Sequence, residues 1–133
     1  MKDKLLFQDV LDRVHEFMEV YGLATSNHPK AEIGAKNGIL RYELMKEENE
    51  EYLAAVQNGD LVEIADALGD MMYILAGTML AHGMQSKMEA VFTEIHRSNM
   101  SKLDNQGKPI YRADGKVLKG PNYSPPELSG ILK

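Results

Sequence analysis

The sequence predicts an all-α fold, an antiparallel four-helix bundle with an irregular C-terminal tail that could include a short β-ribbon. Apolar side chains recur every three or four residues in separate stretches up to about residue 102. Beyond Leu103, Gly and Pro are too frequent for another long helix. Because 133 residues suit one domain of ordinary size, we expect a single domain with a helical core over about residues 4–102 and a tail over 103–133.

The first two helices flank a long loop. Residues 4–21 carry a helical apolar pattern that stops at Gly22. The pattern breaks up over residues 23–38, which predicts a loop with room for one helical turn at 30–35. Because residues 39–57 lack Gly and Pro and are rich in strong helix formers, they predict the second helix.

The third helix is predicted over residues 60–82, directly after a short Asn58-Gly59 connection. Asp60 and Glu63 match a capping box at its start. Apolar residues cover most of its circumference, so we expect this helix to be buried on nearly every side.

Ser86 and Glu89 repeat the capping-box pattern and predict a fourth helix over about residues 87–102. In the tail, residues 110–118 could form a two-stranded ribbon around an Asp114-Gly115 turn.

Composition excludes several classes of protein. The absence of cysteine removes disulfide scaffolds, thiolate zinc sites and cysteine nucleophiles. No uninterrupted apolar run reaches the roughly 18 residues of a membrane span, so we expect no membrane partner. The first residues, Met1-Lys2-Asp3-Lys4, do not start a signal peptide, which favours the cytoplasm. A net charge of -5 argues against nucleic acid as a partner.

Acidic residues mark both central helices. In the second helix, Glu48 and Glu51 are three residues apart and share a face. If the hairpin brings the two acidic faces together, Glu51 lies level with Asp66. By the same count, Glu48 lies level with Asp70. The third helix interrupts its apolar surface with one polar stripe: Glu63, Asp66, Asp70 and Tyr73.

Facing carboxylates in a crevice repel one another and therefore require a cation. A donor set of oxygen atoms alone suits Mg²⁺, or Mn²⁺, better than zinc or copper. Mg²⁺ held in this way usually completes its shell with substrate phosphates, so phosphate chemistry is the natural use. The alternative is a solvated acidic face over residues 47–51, with Glu63 serving only in the capping box.

The acidic residues resemble a known signature. Residues 47–51 (EENEE), an eleven-residue gap and residues 63–66 (EIAD) are similar to the ExxE, spacer, ExxD motif of all-α nucleoside triphosphate pyrophosphohydrolases. This superfamily includes MazG-like proteins and phosphoribosyl-ATP pyrophosphohydrolases. The resemblance, together with the next acid of the stripe, implies these Mg²⁺ ligands: Glu48, Glu51, Glu63, Asp66 and Asp70.

The register of the motif stays open, because Glu47 with Glu50 also satisfies ExxE. The reaction that the resemblance implies is hydrolysis of an NTP or dNTP to the monophosphate and pyrophosphate, a house-cleaning activity on nucleotides. Glu47 or Glu48 could take the proton from the attacking water.

A second similarity to MazG-like sequences lies at residues 99–102 (NMSK). An amide and an ammonium at this position suit contacts with a nucleotide, and further cations follow in the tail. The residues assigned to the nucleoside triphosphate substrate are Tyr73, Arg97, Asn99, Lys102, Lys116 and Lys119.

Two alternatives remain for the function. One is a phosphoribosyl-ATP pyrophosphohydrolase of histidine biosynthesis, and the other is a non-catalytic helical interaction module, which Met-rich faces would also suit. We expect a homodimer or a dimer of dimers, because the third helix has more apolar perimeter than one chain can cover.

Overall fold

The computed structural model describes residues 4–133. Most of the Met1–Lys4 segment, from which we predicted that no signal peptide is present, lies outside the described residues. Four α-helices follow in order: α1 (Phe7–Val20), α2 (Ala35–Gln57), α3 (Leu61–Ala81) and α4 (Met88–Met100). Residues 4–133 contain no strand, which confirms the all-α class. One compact unit ends at Gln85 and includes α1, α2 and α3; a second unit, with α4, runs from Ser86 to Lys133.

The core of the first unit forms where α1 packs against α3. Three α1 side chains at helical spacing are almost fully buried, as the amphipathic pattern predicts. They meet small and aliphatic residues of α3, which let the two helices approach closely. The core cluster is Leu11, Val14, Met18, Ala76 and Leu80.

The boundaries of α2 and α4 correct the predictions. The chain bends over residues 30–34 and forms no helical turn, and α2 starts at Ala35, four residues before the predicted start. At α4 the residue before the helix is Lys87, without a side-chain cap, so the predicted capping box at Ser86 is wrong. At α3 the predicted cap by Asp60 is confirmed, because its side chain accepts a hydrogen bond from the Glu63 amide at 3.1 Å.

The surface of α3 differs from the prediction of burial on nearly every side. Within one chain its turn end is open, with Leu61 77% and Val62 75% exposed. Over its full length, α3 is also long and apolar enough to cross a membrane, a test that the core helix of a soluble protein passes as well. A single chain therefore leaves much apolar surface of α3 in contact with solvent.

The second unit is held by polar contacts around α4. The Arg97 guanidinium donates to both oxygens of Glu94, at 2.7 and 3.0 Å, and to the Pro125 carbonyl at 3.2 Å. Glu94 also accepts from the Glu127 amide at 2.7 Å. The predicted ribbon is reduced to a single antiparallel bridge between Tyr111 and Val117.

Candidate metal centre

Three predicted ligands converge on the hairpin of α2 and α3. One carboxylate oxygen from each of Glu48, Glu51 and Asp70 lies within 4.8 Å of the others. Glu48 and Glu51 share a face of α2 because they are one helical turn apart. The two-residue turn at Asn58-Gly59 folds α3 back antiparallel to α2, so Asp70 comes level with Glu48.

Glu48 is the most constrained of the three. Its Oε2 atom is buried and has no hydrogen-bond partner within residues 4–133. Burial raises the pKa of Glu48 to about 7, and a hydrogen bond with Glu51 and the nearby charges of Asp70, Glu51 and Asp66 act in the same direction. Such a carboxyl group is either protonated or compensated by a positive charge.

Glu63 and Asp66 lie beside this cluster. Both line, together with Glu51, a polar cavity of about 410 Å³ near the hairpin turn. Neither belongs to the group of three carboxylates, and the charge of Asp66 contributes to the raised pKa of Glu48. Glu51 therefore belongs to both the three-residue cluster and the cavity, and it joins the five predicted metal ligands into one acidic region.

The exposures of the α2 glutamates bear on the register of the motif. Glu47, Glu50 and Glu51 are exposed, whereas Glu48 is half-buried, so exposure distinguishes the registers only at their first residue. The convergence of Glu48 and Glu51 on Asp70 favours the register that starts at Glu48. Glu47 lies on α2 next to the cluster and stays available for a different role.

The donor set fits a hard divalent cation. All candidate ligands are carboxylates, the oxygen donors that Mg²⁺ and Mn²⁺ prefer. The unpartnered Oε2 of Glu48 is a buried acceptor for which a cation would compensate. When bound, such a cation would neutralise phosphate charge and lower the pKa of a bound water.

Tyr73, predicted to contact substrate, follows Asp70 by one turn of α3. Its ring packs edge-on against Phe17 of α1, with 5.4 Å between the ring centroids. Tyr73 also lines a cavity between α1, α2 and α3. The aromatic side chain is therefore fixed by packing and is partly open to that cavity.

Within the second unit, Asn99 and Lys102 line one cavity of about 380 Å³. The ammonium of Lys119 lies 4.8 Å from the centre of the Tyr123 ring, and Lys116 is exposed. Arg97 differs, because its charge is already paired with Glu94.

The same ion pair lowers the pKa of Glu94 to about 2, mainly through the hydrogen bond from Arg97 and then through the Glu127 amide. Arg97 is therefore committed to holding the tail in this structure, and a role in binding substrate would compete with that contact.

Arg41, the buried cation of α2, was not predicted as a functional residue. It is 9% exposed, and it lies seven residues before Glu48, on the same face of the helix. The spacing could have predicted its burial. A residue two helical turns before Glu48 lies on the same face of α2, the face that packs against α3. Gly77 of α3 leaves room for this side chain, since a Cβ there would lie 2.5 Å from the Arg41 Nη2 atom.

A carboxylate cluster on a helical hairpin, in an all-α chain, offers the oxygen donors that a metal-dependent hydrolase of phosphoric anhydride bonds would use. The family profile described as phosphoribosyl-ATP pyrophosphohydrolase matches residues 14–99, more than half of the chain. The chain therefore belongs to this family, which is part of the MazG-like all-α NTP pyrophosphohydrolase superfamily. The comparison with curated proteins gives no significant match.

The matched residues include α2, α3 and the acidic cluster, and they end at Asn99. The resemblance read from the ExxE and ExxD motifs is thereby confirmed, and so is the enzyme class. Membership of an enzyme family disfavours the alternative of a non-catalytic helical module.

Proposed function

We propose that the protein is a Mg²⁺-dependent nucleoside triphosphate pyrophosphohydrolase that converts NTPs or dNTPs to monophosphates and pyrophosphate in a cytoplasmic house-cleaning role. The observation that carries this proposal is the convergence of Glu48, Glu51 and Asp70, with a buried oxygen of Glu48 left without a partner in the described chain. Glu63 and Asp66, on the adjoining cavity wall, complete the proposed ligand set.

The side chains around this cluster have distinct proposed tasks. Glu48 and Glu51 hold the cation on α2, opposite Asp70 on α3. Glu47, which is exposed on the same helix, is free to accept the proton of the attacking water. Glu48 is the alternative base, because a pKa near 7 suits proton transfer at neutral pH whenever the residue is not a ligand.

Within the second unit, the residues proposed to contact substrate lie on α4, directly after it and in the tail. Asn99 and Lys102 line one cavity and together offer an amide and an ammonium to a nucleotide. Lys116 and Lys119 add positive charge in the tail. Arg97 contributes only if its ion pair with Glu94 opens.

A second candidate substrate is phosphoribosyl-ATP, which the family description favours. The same bond, between the α and β phosphates, would be cleaved in both cases. The two candidates differ in the nucleotide that the enzyme accepts.

A substrate screen tests the proposal. Purified protein is incubated with each common NTP and dNTP, and with phosphoribosyl-ATP, in the presence of Mg²⁺, of Mn²⁺ or of a chelator. We expect release of pyrophosphate, without release of single phosphate, and loss of the reaction in chelator. Hydrolysis of phosphoribosyl-ATP alone would assign the enzyme to histidine biosynthesis, and no cation-dependent hydrolysis of any nucleotide would contradict both candidates.

We propose further that the enzyme is a homodimer or a dimer of dimers, with a second copy covering the apolar surface at the turn end of the hairpin. Leu53 and Val56 of α2 are exposed beside the exposed Leu61 and Val62 of α3. Sedimentation at several concentrations tests this: the wild type should be larger than one chain, and Val62→Glu should shift it toward the monomer. A monomeric wild type would contradict the proposal.

A further inference from the structure

A second buried charge lies in the hairpin, apart from the acids. Arg41 lines a cavity of about 200 Å³ between α1, α2 and α3. It is the one charged residue among the described residues of this lining, and the others are apolar or aromatic, including Phe17, Leu44 and Tyr73. One fixed polar group in an apolar lining is typical of a small-molecule site, and because about 200 Å³ is less than a whole ligand usually occupies, the cavity suits one part of a ligand.

The Arg41 guanidinium is only partly satisfied by the protein. Its Nε donates to Thr78 Oγ1 at 3.0 Å, and its Nη2 donates to the Ile74 carbonyl at 2.8 Å. A guanidinium has five N–H donors, and Nη1 makes no hydrogen bond within residues 4–133. Within the same residues, no carboxylate forms an ion pair with Arg41. The Arg41 guanidinium therefore has N–H donors and a positive charge left to interact with a ligand.

The cavity and the acidic cluster lie along the same hairpin. Arg41 precedes Glu48 by seven residues, and Gly77 follows Asp70 by seven. Because seven residues are about two helical turns, the two residues of each pair lie on the same face of their helix. This spacing separates the two layers by roughly 10 Å along the helices. If a divalent cation at the acids holds the phosphates of a nucleotide, as the proposed function requires, its base can reach the cavity.

We propose that this cavity is the nucleobase subsite and that Arg41 selects bases with a carbonyl oxygen, rather than an amino group, at the edge that faces it. This inference rests on the proposed function. The aromatic rings of Phe17 and Tyr73 provide apolar walls for a planar base. Because arginine has donors and no acceptor, it satisfies a base carbonyl and leaves an amino group without a partner.

Matched substrates change the base edge at this contact. Hypoxanthine and adenine differ at position 6 (carbonyl against amino) and at the neighbouring N1 (N–H donor against acceptor), and uracil and cytosine differ at position 4 and at N3 in the same way. We expect kcat/KM for ITP to exceed that for ATP, and for dUTP to exceed that for dCTP, by about 10- to 100-fold, the usual effect of an unsatisfied buried donor or acceptor. Wild-type ratios near one would overturn the proposal.

Two variants test whether Arg41 sets the ratio. Arg41→Gln provides an acceptor as well as donors, so we expect both ratios to fall to within about threefold of one. Gly77→Ala keeps the charge but places a Cβ 2.5 Å from Nη2, which displaces the guanidinium and should also reduce the ratios. Arg13→Gln, an exposed α1 residue, removes the same charge and should leave them unchanged.

The outcomes separate this inference from the proposed function. If Arg41→Gln lowers kcat/KM equally for both members of each pair, Arg41 contacts a phosphate or is merely structural, and the base subsite is wrong. Equilibrium binding of IMP, AMP, dUMP and dCMP is measured in parallel, so the base preference is tested without turnover. A binding preference without hydrolysis would uphold the subsite and overturn the proposed function, whereas hydrolysis without any base preference would do the reverse.

Discussion

The two ends of the α2–α3 hairpin differ in how firmly the first unit holds them. At the end away from the turn, the loop before α2 bonds to the last turn of α3: the Ser26 amide donates to the Leu80 carbonyl at 3.0 Å, and the Lys30 amide to the His82 carbonyl at 2.9 Å. These bonds satisfy carbonyls that a helix C-terminus would otherwise leave unpaired. At the turn end, Leu61 and Val62 remain exposed.

The same contrast appears in the buried charges. Arg41, toward the packed end, is held by a hydroxyl and a main-chain carbonyl of α3. Glu48, nearer the turn, has an oxygen with no partner in the described chain and is surrounded by other acids. The packed end therefore provides stability by itself, whereas the acidic layer needs a cation to become stable.

Removing an acid should have the largest effect, and it should act on turnover. We expect Glu51→Gln and Asp66→Asn to reduce kcat/KM by more than the roughly 10- to 100-fold loss seen when residues behind metal ligands are changed. The metal-free protein should be as stable as the wild type or more so, because a repelling charge is removed. Steady-state kinetics and urea unfolding in chelator measure the two effects.

Glu43→Gln, an exposed change on the same helix, is the control for Glu51→Gln and should leave both quantities unaltered. Loss of folding in Glu51→Gln would instead make the acidic layer a structural element. A greater loss of activity in Glu50→Gln than in Glu51→Gln would move the motif to the register that starts at Glu47.

Stability should be more sensitive at the packed end, and two glycines with similar backbone angles test this. Gly83 has φ +68°, and a Cβ there would lie 2.0 Å from the His28 carbonyl oxygen. Gly59, in the turn, has φ +62° and open space around it. We expect Gly59→Ala to destabilise by about 1 kcal/mol, from backbone strain alone. Gly83→Ala should destabilise by about 3 kcal/mol.

Urea unfolding of both glycine variants gives the comparison directly. Equal losses in the two variants would show that the contact between the loop and α3 contributes little, and that the ends of the hairpin do not differ in rigidity.

The acidic layer should also make the metal-free protein dependent on pH. Glu48 has a folded pKa of about 7 against an ordinary value of 4.5, so the folded state binds its proton more tightly than the unfolded state. Its contribution to stability is therefore full below about pH 4.5 and is lost as the pH rises toward 7, by about 1 to 3 kcal/mol. Unfolding in chelator across this range measures the loss.

Glu48→Gln removes this titrating group, so its stability should change less than that of the wild type between pH 4.5 and 7. Added Mg²⁺ should flatten the wild-type profile, because a bound cation favours the ionised form. If the wild-type stability falls between pH 4.5 and 7 by no more than that of Glu48→Gln, the assignment is wrong.

The helices were predictable from the sequence because each has its own periodic pattern, and the class and the number of helices were right. Residues 35–38 were missed because Gly38 lies near the start of α2, where the sequence suggests a turn and the backbone continues as helix. The exposure of α3 could not be foreseen, since an apolar perimeter does not tell which neighbour, in the same or another chain, covers it.

For the candidate site, the sequence was enough to predict which carboxylates share a helix face and lie at the same height along the hairpin. Spacing alone placed Glu48 level with Asp70, and the structure brings them together with Glu51. Arg41 was missed because a single arginine in a helix is usually solvated, and its burial depends on Gly77 and on α1, which are distant in sequence.

The smallest expected effect is on the free energy of unfolding and concerns the two predicted capping boxes. The structure forms a side-chain cap at the start of α3 and none at the start of α4. The Asp60 side chain accepts from the Glu63 amide at the turn end of the hairpin, so Asp60→Ala should destabilise by about 1 kcal/mol. Ser86 makes no cap at α4, so Ser86→Ala should change the stability by less than about 0.5 kcal/mol. Urea unfolding of both variants measures the difference. If the two losses are equal, the Asp60 hydrogen bond adds no stability at the start of α3, and the backbone conformation of Asn58-Gly59 determines the turn instead.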